Sequence, residues 1–66
     1  MQTIDTAHFT DLESHEEGLA IIRAQAGEVA LALSIKNDGD LEVFLSPEDC
    51  ENLIKALHAA VKFASQ

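Results

Sequence analysis

The chain has 66 residues, 12 of them acidic and 4 basic, for a formal net charge of −8. A chain this short forms one domain, buries only roughly 60% of its unfolded surface, and usually needs a staple or a partner. Cys50 is the only cysteine, which excludes an internal disulfide, and there is no Lys/Arg cluster of the kind that holds phosphates, so direct nucleic-acid binding is not expected.

No apolar stretch approaches the roughly 18 residues of a membrane span, and no charged segment leads into an apolar one as in a secretory signal. On these grounds the chain is read as soluble and cytoplasmic. The acidity serves solubility, or else suits a basic partner, including one that normally binds nucleic acid.

Residues 1–18 are polar. Thr3–Phe9 fits an extra edge strand. Thr10-Asp11-Leu12-Glu13 fits a capping box, which would open a short helix ended by Gly18. An ordered loop is the alternative for that stretch.

Residues 19–66 read as one β-β-β-α domain. Leu19–Ala26 is the first strand, and Gly27-Glu28 fits a two-residue hairpin loop with glycine at its first central position. That loop pairs Ala26 with Val29, Ala24 with Leu31 and Ile22 with Leu33. The run Glu28–Lys36 alternates without a break: Val29, Leu31, Leu33 and Ile35 on one side, Ala30, Ala32, Ser34 and Lys36 on the other. This is the period of a strand with one face in a core.

A three-residue loop, Asn37-Asp38-Gly39 with Gly39 left-handed, pairs Ile35 with Leu41, Leu33 with Val43 and Leu31 with Leu45. All six are apolar, and register follows the buried face. Leu41–Leu45 ends the meander. Ser46 is then an N-cap, Pro47 sits at the first helical position, and Glu48 and Asp49 face the positive end of the helix dipole. Cys50, Leu53, Ile54, Leu57, Val61 and Ala64 recur at helical spacing, so the helix lays this stripe on one face of the sheet. The predicted fold is α+β: a three-stranded antiparallel meander with one C-terminal helix packed on one face.

On the other face the expected register sets Arg23, Ala32 and Phe44 in one row and Ile21, Ser34 and Glu42 in the next, with Leu19 and Ala30 beside them. Half of this face is apolar, more than a solvated face carries. It is covered by the N-terminal segment through Ile4, Phe9 and Leu12, by a second copy, or by another protein. Phe44, Ile21, Ala32, Arg23, Ala30 and Leu19 are the candidate interface, with Phe44 as its aromatic anchor.

No catalytic constellation emerges. Cys50 and His58 stand eight residues apart on one helix, about 12 Å by helical rise, which does not make a dyad; Cys50 is expected as a small residue on the apolar stripe. His8, His15 and His58 lack metal-ligand spacing, and Asp38-Gly39-Asp40 lacks the later ligands of a calcium loop. No cofactor is implied.

The acids Glu13, Glu16 and Glu17 crowd the first quarter of the chain, and Asp38, Asp40 and Glu42 cluster near the second turn. They are the candidate contacts for a basic partner. Leu45-Ser46-Pro47-Glu48-Asp49, followed by Leu53, Leu57 and Ala60, resembles a pattern in small phage and bacterial proteins whose meander ends in a Ser/Thr-Pro-Glu-capped, alanine-rich helix. The resemblance carries no functional residue over.

The sequence therefore points to a small acidic, non-enzymatic binding or regulatory protein. It is expected to act as a homodimer or higher homo-oligomer through the second face or edge of its sheet, with room for a small ligand between subunits. The alternative is an acidic inhibitor of a nucleic-acid-binding protein.

Overall fold

The computed structural model describes residues 1–37 and 39–66; Asp38, expected as both a turn residue and a partner contact, lies outside the described residues. Four strands, β1 (Gln2–Thr10), β2 (Glu17–Gln25), β3 (Glu28–Ile35) and β4 (Gly39–Leu45), precede one helix, α1 (Pro47–Ala64). The strands form an antiparallel meander in the order β1-β2-β3-β4. The fold is α+β, a four-stranded meander followed by a C-terminal helix packed against β3 and β4.

The N-terminal segment supplies the extra edge strand. It lies in the plane of the sheet beside β2, so it does not fold over the second face. Ile4 is the additional residue of a bulge between Thr3 and Asp5 and is 59% exposed, and Leu12 is 84% exposed. A bulge re-aims an edge strand and ends its flat pairing, which also protects the edge.

The short helix expected after Thr10 is a turn instead. Thr10 ends β1, and the Asp11 carboxylate accepts hydrogen bonds from the Ser14 backbone N–H at 3.0 Å and the Ser14 hydroxyl at 2.7 Å. Local carboxylate bonds of this kind compete with helix. The Asp11 N–H donates to the Glu16 carbonyl at 2.9 Å, and His15 takes a left-handed φ of 63° to close the loop. Gly18 terminates no helix; it lies within β2, where the ring of Phe9 occupies the space a Cβ would need.

Both remaining hairpins differ from expectation by the same amount. The β2–β3 loop is Ala26-Gly27, closed by Gln25 opposite Glu28, so Ala24 pairs with Val29 and Ile22 with Leu31. Gly27, with φ 79°, takes the second central position, where a type II turn needs a left-handed residue. Gln25 Nε2 donates to Glu28 Oε1 at 2.8 Å, which holds Glu28 in the ladder and out of the loop. In the next hairpin Ile35 pairs with Gly39, Leu33 with Leu41 and Leu31 with Val43; Gly39 has the expected positive φ, 97°, and Asn37 takes a left-handed φ of 68° as well.

Relative to the expected pairing, β3 has therefore slid by two residues against both neighbours. A slide of two keeps every side chain on its own face. It also leaves the β2–β4 alignment unchanged: Arg23 still shares a row with Phe44, now through Ala30, and Ile21 with Glu42, now through Ala32.

The helix begins as its sequence dictates. Ser46 has φ −68° and ψ 155°, and its hydroxyl accepts from the Asp49 N–H at 3.1 Å. Pro47 opens the first turn, Glu48 and Asp49 stand in it, and Lys62 lies in the last. At the other end the Ser65 hydroxyl donates to the Val61 carbonyl at 2.8 Å.

Burial is scarce. Among the described residues only Gly18 and Ala30 are buried, and no helix residue is. The radius of gyration is 13.1 Å, where a globule of this length measures about 11 Å.

Candidate functional site

The two faces of the sheet differ sharply. The aliphatic face has four rows: Ala24–Val29–Leu45, Ile22–Leu31–Val43, Ala20–Leu33–Leu41 and Gly18–Ile35–Gly39. Across β2, β3 and β4 these rows hold no charged residue; β1 adds Asp5, Ala7 and Phe9 at the margin. Leu33, Val43 and Leu41 remain 37%, 37% and 61% exposed.

The small-residue face is the one expected to carry an interface. Its rows are Arg23–Ala30–Phe44, Ile21–Ala32–Glu42 and Leu19–Ser34–Asp40, so all six candidate residues do meet on one surface. Ala30 is fully buried between Arg23 and Phe44, whereas Phe44 itself is 57% exposed. Arg23 forms an ion pair with Glu42, reaching diagonally across β3, which only alanines on that strand permit. A shallow depression of about 480 Å³ runs beside this pair, walled by Leu19 and Ile21 on one side and Asp40 and Glu42 on the other, with Ala32 and Ser34 as its floor. The Ser34 hydroxyl donates to Asp40 at 2.6 Å.

The described candidate acids divide between this face and the β1–β2 turn. Glu13 and Glu16 lie in the β1–β2 turn, with Glu16 accepting from Asn37 Nδ2 at 3.5 Å. Glu17, Glu28, Asp40 and Glu42 are carboxylates within strands, and all four share the small-residue face. Only Asp5 among the strand carboxylates lies on the aliphatic side. The Asp11 carboxyl is held below its ordinary pKa by its hydrogen bonds to the Ser14 side chain and backbone.

This charge segregation was not drawn from the sequence, although its signal was present. Glu28, Asp40 and Glu42 occupy the same alternate positions as Ala30, Ala32 and Phe44, and Glu17 falls in step with Leu19 and Ile21. The apolar stripe of α1, expected to lie on one face of the sheet, instead stays largely in solvent: Leu53, Ile54, Leu57 and Val61 are 44%, 53%, 64% and 61% exposed. Phe63, nearly opposite that stripe by its position in the turn, is 78% exposed.

Cys50, at the start of the stripe, is half-buried and free. His8 stands on β1, His15 in the turn and His58 on α1. Among the described residues no three His, Cys, Asp or Glu side chains gather as metal ligands do, and no helix is long and apolar enough to cross a membrane. Compared with known proteins, the chain matches no family model, no curated protein and no solved structure.

Proposed function

We propose that this is a non-enzymatic binding or regulatory protein that acts as a homo-oligomer, self-associating through its sheet. One observation carries the reading. The chain exposes 5319 Å², whereas a folded monomer of 7.1 kDa is expected to expose about 4,100 Å². The surplus is roughly 1,200 Å², and among the described residues twelve large hydrophobic side chains are exposed. A lone chain with this little buried surface has a correspondingly small hydrophobic term to set against its conformational entropy. A second copy supplies the missing burial.

Light scattering of the wild type and of Phe44→Glu, at several concentrations, tests the reading. A wild-type monomer throughout the range overturns it. An oligomer that Phe44→Glu dissociates puts the contact on the small-residue face; one that persists leaves the aliphatic face and the helix as the contact.

The gathering of in-strand carboxylates favours a second reading, an acidic inhibitor of a nucleic-acid-binding protein. Asp40 and Glu42 are two residues apart on one strand, about 7 Å, close to the spacing of phosphates along a nucleic-acid strand. The inhibitor reading expects the protein to displace DNA from a basic DNA-binding protein at low salt, and Asp40→Asn with Glu42→Gln to abolish that displacement. Failure to displace DNA from any of a panel of such proteins would overturn it.

A further inference from the structure

We propose that the oligomer is a reciprocal dimer in which α1 of each chain lies across the aliphatic face of the other chain's sheet. The proposal rests on the self-association reading above and adds the two surfaces that meet. Each chain carries two apolar surfaces of matching kind, the stripe Leu53, Ile54, Leu57 and Val61 and the sheet face around Leu33, Leu41 and Val43. α1 touches β3 and β4 without covering either of them.

The chain connection explains why they do not close on each other. β4 ends at Leu45 and α1 begins at Pro47, so Ser46 alone joins them. Strand-to-helix connections generally run to two to six residues. Ser46 has no freedom to supply the reversal. Its side chain is committed to the Asp49 N–H, and a residue preceding proline is restricted to extended conformations such as its φ −68°, ψ 155°. The helix thus meets β3 and β4 without laying its apolar stripe over the aliphatic face.

Size, charge and area all fit a second copy as the occupant. A helix of 18 residues is about 27 Å long, and the seven residues of β4 span about 23 Å, so one helix reaches the whole length of a partner's β4. Two chains of charge −8 repel, but the surfaces brought together hold little of that charge. The aliphatic rows of β2–β4 hold none, while Glu17, Glu28, Asp40 and Glu42 are on the far side. The surplus exposure, roughly 1,200 Å² per chain and roughly 2,400 Å² for two, is an upper bound on what this contact buries, and a contact that takes most of it reaches the range of obligate homodimers. Because each chain gives a helix and receives one, the arrangement closes on a two-fold axis and leaves no copy unsatisfied.

The test uses the wild-type chain. Isotope-labelled and unlabelled protein are mixed, unfolded and refolded together, and nuclear Overhauser contacts are recorded between chains only. The expected result is inter-chain contacts between the methyls of Leu53, Leu57 or Val61 and those of Leu33, Leu41 or Val43. A dimer in which these contacts occur only within a chain overturns the exchange while leaving self-association intact. So does a dimer whose inter-chain contacts come from the Phe44 ring on the small-residue face. A monomer by light scattering overturns both this inference and the reading it rests on.

Discussion

Arg23 on β2 is ion-paired with Glu42 on β4, two strands away, across the alanines of β3. Both side chains are about one-third exposed, at 36% and 33%, so the pair is screened by solvent. Glu42→Gln is therefore expected to lower stability by no more than about 1 kcal/mol. Ala30→Leu meets a different situation. Ala30 is fully buried between Arg23 and Phe44, and a larger side chain must displace both, at about 1–3 kcal/mol. Urea unfolding of the two variants at one fixed protein concentration separates packing from charge; equal losses would refute this account of the face.

The same row shows what the sequence makes legible. Alternation in β3 assigns each residue to a face whatever the register, and the β2–β4 alignment survives the two-residue slide because both hairpins move together. The slide itself was hidden. Gly27 fits a hairpin as first or second central residue, and the choice falls to the Gln25–Glu28 side-chain bond, a tertiary detail. Thr10–Glu13 reads equally as a capping box or as a turn, and Asp11 decides it by bonding Ser14. The candidate interface was legible as a set of residues on one face. That the helix leaves the opposite face exposed was not, because helical periodicity tells which side of α1 is apolar and not what will cover it.

Gly18 is required by the ring of Phe9 lying over it. A Cβ there falls within the ring, so Gly18→Ala must push Phe9 away or open the β1–β2 pairing. The expected loss is about 1–3 kcal/mol, measured as a shift in the urea midpoint. Faster amide hydrogen exchange in β1 would accompany it. Gly18→Ala combined with Phe9→Ala should recover part of the loss, and an absence of coupling between the two positions would show that the ring contact is unimportant.

Ser46 caps α1 through its hydroxyl, and Ser46→Ala removes the acceptor for the Asp49 N–H. Loss of such a cap costs about 1 kcal/mol. The expected signature is faster exchange of amides in the first turn, around Asp49 and Cys50, with the sheet amides little affected. Ser46→Asp restores an acceptor and should restore protection.

Asp11 gives the β1–β2 turn a pH dependence. Its pKa is lowered in the folded chain by Ser14, so the turn's contribution to stability is fully present above the ordinary aspartate pKa. It is lost as pH falls through the lowered folded value. Carboxyl carbon shifts followed through the acid range should report Asp11 titrating below its ordinary value, and Ser14→Ala, which removes the hydroxyl but keeps the backbone donor, should raise it part of the way. An unchanged titration in Ser14→Ala would mean the hydroxyl hydrogen bond is not formed in solution.

Salt should strengthen self-association. Each chain carries −8, so two chains repel over the screening length, about 30 Å in 0.01 M salt and about 10 Å in 0.1 M. The contact itself is aliphatic, with no ion pair across β2–β4 for salt to weaken. Sedimentation equilibrium at these two ionic strengths should therefore give a smaller dissociation constant at the higher one. Adding sodium chloride affects only the long-range repulsion in this arrangement. Dissociation on raising the salt would place opposite charges at the contact, and Arg23 with the carboxylates of the small-residue face would then be the first residues to substitute.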